Sequence, residues 1–200
     1  MNDVFYNDRP LPGEATEKLT EFSFAGEYEL VTFSIVPLQD LGRVTVTASE
    51  LQGAGASIPA NAIDVGYVSY RVSRVTMEGS VYTIAPRFVM PRASVAAPKD
   101  ITRRFWLTVK VPATAAPGLY RGTIEVASEK GGSLAFPLEF TVRKGALDPV
   151  DVPVGPWSHT IDLPWQGEET VVWNRDRARK SLRKLREYGF TACSGLPVVS

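Results

Sequence analysis

From residue 19 to residue 143 the chain repeatedly alternates apolar and polar residues with a period of two, which is the pattern of half-buried β-strands. In the clearest run, Leu134, Phe136, Leu138, Phe140 and Val142 occupy every second position. The predicted strands cover residues 19–25, 28–38, 44–49, 63–75, 81–84, 105–111, 120–126 and 134–142. Short strands separated by turns, with no helical period among them, predict a mainly β fold in which two antiparallel sheets form a β-sandwich.

Glycine and proline mark the turns between these strands. Gly131-Gly132 precedes the last strand as a hairpin turn, and Pro117-Gly118 has the order expected when proline presets the first turn dihedral and glycine adopts the positive one. Pro86 argues against a central-strand position because proline cannot donate to a sheet ladder. Residues 53–62 are predicted to be turns, and residues 1–19 an irregular segment.

The pattern changes near residue 150. An apolar run at residues 152–157 is typical of a buried strand. A basic helix follows, in which Ala178, Leu182 and Leu185 lie on one face of a 3.6-residue period. Its arginines and lysines are interpreted as a solvated face and not as a nucleic-acid surface.

Asn174 is a plausible N-cap for this helix, Gly189 occupies the position of a left-handed C-cap, and residues 190–193 are β-like again. A strand, a helix and a strand in this order pair parallel strands, but one such unit cannot cover both faces of a parallel sheet. We therefore predict a β-sandwich at residues 1–147 and the truncated start of an α/β domain at residues 148–200. We expect the natural polypeptide to continue beyond Ser200.

Composition and charge narrow the classes of function. The chain is 44% hydrophobic and 22% charged, as in ordinary globular proteins, and its formal net charge is zero. A neutral chain exerts no overall attraction on nucleic acid or an anionic membrane, and no apolar run approaches the eighteen or so residues of a membrane span. The first twenty residues lack the apolar core of a signal peptide. The protein is expected to be cytoplasmic, or secreted or periplasmic if a leader has been removed.

Cys193 is the single cysteine and His159 the single histidine. These counts exclude disulfide frameworks and Cys/His zinc sites, and we expect neither a metal nor a cofactor. Ser158 and Asp162 flank His159, but residues so close in sequence rarely converge on one reacting atom as a catalytic triad. Cys193 is interpreted as a small buried strand residue.

Four segments resemble a known family. They are 105–112 (FWLTVKVP), 116–124 (APGLYRGTI), 26–29 (GEYE) and 82–87 (YTIAPR). Together they are similar to the β-sandwich that precedes the catalytic barrel in glycoside hydrolase family 123 and in related uncharacterised bacterial glycosidase-like proteins. The resemblance covers most of residues 20 to 190, and it makes the α/β segment the start of a (β/α)8 barrel.

The resemblance implies an exo-acting glycosidase that acts, in the founding members, on terminal β-linked N-acetylgalactosamine. It also implies a substrate-assisted mechanism, in which the acetamido oxygen of the sugar attacks while one carboxylate orients it and a neighbouring acid protonates the leaving oxygen. That acidic pair belongs to a later barrel strand, so no catalytic residue is expected within this chain. Glu168-Glu169 lies in a polar loop and does not match the family position.

Active sites of (β/α)8 barrels lie at the carboxyl ends of the strands, which places Trp157, His159 and Ser194 at the mouth of the pocket. These three are the predicted substrate-binding residues, for an oligosaccharide or glycoconjugate bound by the downstream barrel. An alternative for Trp157 is that it seals an interdomain junction, as it is for Trp165 and Trp173.

The sandwich has its own alternatives. Trp106, Tyr67 and Tyr70 would form a carbohydrate platform if they shared one exposed sheet face, and would otherwise contact neighbouring domains. Glu27 and Glu29 are a weak calcium signal because no Asp/Asn-rich loop accompanies them. The sandwich is therefore a support that positions a catalytic barrel, or a carbohydrate-binding or adhesion module without hydrolytic activity. The oligomeric state stays open.

Overall fold

A computed structural model of the chain describes residues 3–53, 55–75, 79–146, 151–156 and 175–192. The chain divides into two compact units, residues 1–146 and residues 147–200. None of the helices in the described ranges is long and apolar enough to cross a membrane.

The described part of the first unit consists of strands and one short 3₁₀ turn at Ala60–Ala62. The strands are β1 (Leu19–Phe24), β2 (Tyr28–Ile35), β3 (Arg43–Ala48), β4 (Leu51–Gly53), β5 (Ala56–Ile58), β6 (Ile63–Arg74), β7 (Tyr82–Met90), β8 (Ser94–Ala96), β9 (Arg103–Lys110), β10 (Gly118–Ser128) and β11 (Gly132–Arg143). The fold is mainly β, as the alternation predicts. β5 and the last residue of β4 lie within residues 53–62, which the sequence predicts to be only turns, because three-residue strands rich in small residues carry too few apolar positions to show a period.

Two sheets form the sandwich. The first has the strand order β1-β11-β10-β3-β8, with β4 paired to β10 and β5 paired to β4. The second has the order β2-β9-β6-β7. In the first sheet β3 and β4 follow each other along β10, and Ser49 connects them by donating its N–H to Thr123 O (2.9 Å) and accepting from Thr123 N at its Oγ (2.9 Å).

One strand pair departs from the predicted antiparallel arrangement. β1 pairs with β11 in parallel, from Leu19 opposite Leu138 to Phe24 opposite Arg143. An alternating pattern specifies which face a residue occupies and not the direction of its strand. Because more than a hundred residues separate β1 from β11, no turn dictates that direction. The prediction of purely antiparallel sheets is wrong for this pair.

The core lies between the two sheets and contains the alternating residues of the sequence pattern. Fully buried side chains come from both sheets, among them Val44, Leu51, Phe105, Leu107, Tyr120, Ile124, Leu138 and Phe140. The Tyr120 hydroxyl donates to Ala116 O at 2.9 Å, so its one polar atom is satisfied inside the core. This backward bond to the chain just before a strand is the tyrosine corner of many two-sheet sandwiches.

One hairpin extends beyond the sheet that holds it. The pairing of β6 with β9 ends at Tyr67 opposite Phe105, while β6 and β7 stay paired as far as Arg74 opposite Tyr82. We call residues 68–74 and 82–89 the β6–β7 ribbon. Its β7 strand runs through Pro86, with a bulge where the register shifts between Ser69 and Tyr70. It is an edge strand, which is the position that the proline allows.

The second unit contains helix α1 (Arg175–Glu187) in its described part. The predicted C-cap at Gly189 is confirmed, since its φ is +81°. Gly189 N donates to Arg186 O (3.0 Å) and Phe190 N donates to Leu185 O (3.1 Å), which together form a Schellman motif. Asn174, the predicted N-cap, lies outside the described residues.

The segments on either side of α1 meet through the backbone. Val154 O accepts from Thr191 N (2.8 Å) and from Ala192 N (3.1 Å), and Val154 N donates to Thr191 Oγ1 (2.9 Å). Neither segment forms a regular strand within residues 151–156 and 190–192. The barrel-like character of this unit therefore stays a prediction.

Candidate functional site

The predicted substrate-binding residues Trp157, His159 and Ser194 lie outside the described residues, as do Trp165, Trp173 and Cys193. Their role stays a prediction. The described site candidates all belong to the sandwich.

The hypothetical platform of Trp106, Tyr67 and Tyr70 does not exist as a single surface. Tyr67 is opposite Phe105 and packs against the core, whereas Trp106, the next residue along β9, lies on the other face of the sheet. Tyr70 is half-buried, and its ring meets the Tyr6 ring edge-on with centroids 6.5 Å apart. Burial raises the pKa of Tyr70, and its buried hydroxyl has no hydrogen-bond partner in the described part of the chain.

The two glutamates considered for calcium have local backbone contacts. The Glu27 carboxylate accepts from Phe24 N (3.1 Å) and Ser23 Oγ (3.3 Å), which closes the turn between β1 and β2. Glu29 Oε1 accepts from Leu30 N (2.8 Å). Within the described ranges, no group of three or more histidine, cysteine, aspartate or glutamate residues is placed to hold a metal ion.

Sequence reasoning missed a groove of about 320 Å³ where the N-terminal segment meets the β6–β7 ribbon. We call it the Tyr6–Tyr82 groove. Its lining residues are Phe5, Tyr6, Asn7, Val72, Tyr82, Thr83 and Ile84. Its volume falls at the lower end of the roughly 300–1,000 Å³ range of ligand pockets.

The N-terminal wall of the groove is a turn held by hydrogen bonds at both ends. Phe5 N donates to Asp8 Oδ2 (2.7 Å), and Asp8 N donates to Phe5 O (3.2 Å). The fully buried Thr102 then anchors the turn to the start of β9, donating its N–H to Tyr6 O (2.8 Å) and its Oγ1 hydroxyl to Asp8 O (2.7 Å). This segment has no helix or strand, as predicted, but its position is fixed.

A strained residue supports the same anchor. Asp100 has a φ of +63°, and it is the one non-glycine residue in the described ranges with a positive φ. Its N–H donates to Pro37 O (2.8 Å), and Arg9 Nη2 donates to Asp100 O (3.0 Å) and Oδ1 (3.3 Å). Aspartate is among the few L-residues that adopt this conformation readily, so the loop before β9 can present its carbonyl to the N-terminal segment.

The ribbon wall of the groove is apolar and open to solvent. Val72 and Ile84 are direct cross-strand partners, and the Val72 side chain is 71% exposed. Tyr82, 55% exposed, accepts from Arg74 Nη2 at its hydroxyl (3.2 Å), and the Arg74 guanidinium lies 5.7 Å from its ring centroid. These contacts restrict the Tyr82 side chain without burying it.

The chemistry of the lining allows binding and not bond cleavage. None of the seven lining residues carries a charge, a carboxyl group or an imidazole. Glycoside hydrolysis requires carboxyl groups as acid and base or nucleophile. Tyr70 contacts the lining residue Tyr6 and has a raised pKa, but its hydroxyl is buried.

These features define a β-sandwich domain with an uncharged surface groove. The chain belongs to the glycoside hydrolase 123 N-terminal domain family, whose model matches residues 3–128. The resemblance of the sandwich to the N-terminal domain of this family is thereby confirmed over residues 3–128. The match runs from the groove's N-terminal wall to the end of β10.

Solved structures match part of the chain. A family 123 glycoside hydrolase from Clostridium perfringens, studied for glycolipid glycan hydrolysis, matches with a TM-score of 0.57 and 21% identity over 63% of this chain. The matched part is 23% of that enzyme's length, so this chain spans a minor part of it. A PapD-like domain of human CEP192 matches with a TM-score of 0.39 and 13% identity, over 66% of this chain and 84% of that domain. No curated protein sequence matches the chain.

Proposed function

We propose that this chain is the N-terminal, non-catalytic portion of a glycoside hydrolase, in which the sandwich supports and positions a catalytic (β/α)8 barrel. The observation that carries the proposal is the family match over residues 3–128. The similarity to the Clostridium perfringens enzyme supports it, because the sandwich there is a minor part of a longer hydrolase.

Backbone contacts within the second unit support a barrel that begins in this part of the sequence. In a (β/α)8 barrel the first two strands are neighbours in parallel and a helix connects them. Here Val154 meets Thr191 through the backbone, on either side of helix α1. On this proposal Trp157, His159 and Ser194 follow the carboxyl ends of the first two barrel strands and contact the sugar.

The proposed reaction is the hydrolysis of terminal glycosidic bonds, with N-acetylhexosamines as the substrate class and the acetamido oxygen as nucleophile. The partner is an oligosaccharide or glycoconjugate, and the catalytic carboxyl groups belong to barrel strands after residue 200. Support for this finer proposal comes from the sequence resemblance to the family.

The test compares residues 1–200 with the full product of the native gene on 4-nitrophenyl β-N-acetylgalactosaminide and β-N-acetylglucosaminide. We expect turnover by the full product and none by residues 1–200. Hydrolysis by residues 1–200 alone, or no hydrolysis of any N-acetylhexosaminide by the full product, would contradict the proposal.

The proposed sugar-contacting residues are tested separately, by substitution in the active full product. We expect Trp157→Ala and His159→Ala to raise KM, with the circular dichroism spectrum unchanged. Unchanged KM in both variants would remove these residues from the proposed pocket.

A second candidate function is a carbohydrate-binding or adhesion module, which the open Tyr6–Tyr82 groove favours. The two functions differ in what they require of the gene. An open frame that ends at Ser200 would leave the binding function alone, whereas a frame that continues into a barrel would make binding an addition to hydrolysis.

A further inference from the structure

We propose that the Tyr6–Tyr82 groove is a binding site for a neutral glycan and accommodates one or two pyranose rings. The site goes beyond the proposed hydrolase function, because it involves no bond cleavage and no residue after Ile84 in its lining. It is built entirely within the first compact unit.

The composition of the lining matches the two surfaces of a sugar ring. A pyranose has an apolar C–H face and a rim of hydroxyl groups that both donate and accept hydrogen bonds. The groove offers the aromatic side chains of Phe5, Tyr6 and Tyr82 for the apolar face, and Asn7 and Thr83 for the rim. An amide and a hydroxyl can each donate and accept, as sugar hydroxyls require.

The polar groups of the lining are available to a ligand. Within the described part of the chain, the Asn7 amide and the Thr83 hydroxyl make no side-chain hydrogen bond, and both residues are exposed. They contribute nothing visible to the stability of the turn or the ribbon. Their hydrogen-bonding capacity is satisfied by water and can be transferred to sugar hydroxyls at little cost.

Charge and openness narrow the ligand class. No charged side chain of the described residues lines the groove to pair with a phosphate, a carboxylate or an ammonium group, and the nearby Arg74 guanidinium already donates to the Tyr82 hydroxyl, which favours a neutral ligand. An open groove leaves one side of its ligand in water, and a sugar tolerates this because that side carries hydroxyl groups. A purely apolar ligand would keep much of its surface hydrated in the same position.

The groove is preformed, which lowers the entropy lost on binding. Thr102 fixes the turn that carries Tyr6 and Asn7 at two points, and Arg74 restrains Tyr82. The exposed apolar residues of the ribbon wall add little to the core, since Val72 and Tyr82 are more than half exposed. An exposed aromatic held in place beside solvent-exposed polar groups is typical of a binding surface.

The experiment uses residues 1–200 and measures binding by saturation-transfer difference NMR and titration. The probes are the methyl β-glycosides of glucose, galactose, N-acetylglucosamine and N-acetylgalactosamine, with octyl β-glucoside as a comparison for apolar binding. The variants are Tyr82→Ala, Tyr82→Phe and Asn7→Ala. The matched control is Phe88→Ala, which removes an aromatic ring of the same ribbon that is 61% exposed but does not line the groove.

We expect at least one methyl glycoside to bind. Tyr82→Ala should weaken binding about tenfold or more and Asn7→Ala about threefold to tenfold, whereas Phe88→Ala stays within about twofold of wild type. Tyr82→Phe should retain most of the affinity because it keeps the ring. If Tyr82→Ala loses its native circular dichroism spectrum, Asn7→Ala decides, since the exposed Asn7 side chain makes no hydrogen bond to the described part of the chain.

Three results would overturn the proposal: no methyl glycoside binds, Tyr82→Ala and Asn7→Ala both bind as well as wild type, or octyl β-glucoside binds more than about tenfold tighter than methyl β-glucoside. The last result would make the groove an apolar or protein-docking surface. None of these outcomes bears on hydrolysis by the full gene product, so failure of this site and failure of the hydrolase proposal are distinguishable.

Discussion

Two long hairpins of this sandwich show that the position of a hairpin in its sheet, and not its pattern of apolar residues, decides whether those residues are buried. The β10–β11 hairpin pairs from Gly118 opposite Val142 to Ser128 opposite Gly132, and strands flank it on both sides. β6 and β7 form a hairpin of similar type, but β9 pairs with β6 only as far as Tyr67, so the β6–β7 ribbon beyond it has no strand on that side among the described residues. Phe140 is fully buried in the first hairpin, while Phe88 is 61% exposed in the second.

The difference shows that the most exposed apolar side chains of the ribbon, those of Val72, Tyr82 and Phe88, contribute little to the stability of this unit. Burial of apolar surface stabilises a fold by about 25 cal/mol per Å² removed from water, and each of these three residues is more than half exposed. Val72 and Tyr82 have a different use, which we place in the Tyr6–Tyr82 groove.

Matched truncations of the two phenylalanines test this comparison with the largest expected effect. Phe140→Ala should lower the free energy of unfolding by about 3–5 kcal/mol, because it removes buried contacts and leaves a cavity. Phe88→Ala should change it by less than about 0.5 kcal/mol. Urea unfolding followed by circular dichroism measures both. A loss of similar size in the two variants would mean that the ribbon is part of the stabilising core.

Matched tyrosine variants probe the polar atoms of the same hairpins. Tyr120→Phe should cost about 0.5–1.5 kcal/mol, because the part-buried hydrogen bond from the Tyr120 hydroxyl to Ala116 O is lost. Tyr82→Phe removes an exposed hydrogen bond from Arg74 and should leave the unfolding free energy nearly unchanged. Urea unfolding distinguishes the two variants. If both substitutions leave the free energy of unfolding nearly unchanged, the tyrosine corner is not a stabilising contact.

The smallest expected effect concerns the outer face of the first sheet, where Glu139 connects three parts of the chain. Its carboxylate accepts from Lys18 (2.7 Å) and Arg121 (3.2 Å), and these hydrogen bonds lower the pKa of Glu139. A carboxyl group whose pKa is lowered on folding stabilises the fold at pH values above its ordinary pKa. This contribution disappears as the pH falls through the lowered pKa.

Glu139→Gln should therefore reduce the melting temperature by less than about 3 °C at neutral pH, since the pair is exposed to solvent. The difference between variant and wild type should shrink as the pH falls below the ordinary carboxyl pKa and vanish below the lowered pKa of Glu139. Thermal unfolding between pH 3 and pH 7 measures it. A difference that is as large at pH 3 as at pH 7 would indicate a packing effect in place of the ion pairs.

The sequence predicts a strand of this fold only as well as the strand's burial produces a local pattern of apolar and polar residues. Strands with one buried face show the period of two, so β9, β10 and β11 are confirmed within a few residues. β7 extends six residues past its predicted end, because a bulge and an edge position accommodate Pro86, and neither is visible in a local pattern.

The candidate site was harder to predict, because its walls are about 75 residues apart in the chain. The separation of Tyr67 and Tyr70 by three positions already argues against a shared face in a regular strand, and this signal was available. The Phe5–Asp8 turn has a local signal in Asp8, but the anchor at Thr102 depends on tertiary contacts that no periodicity encodes.

Residues 5–24 join the two layers of the sandwich. Residues 5–9 are attached to the loop before β9 in the second sheet, and Lys18 and β1 are attached to β11 in the first. A shortened protein that starts at Gly26, made to obtain a minimal domain, would lose the groove wall and an edge strand of the opposite sheet together. Protein engineering of this domain should therefore alter single side chains and leave the amino-terminal segment intact.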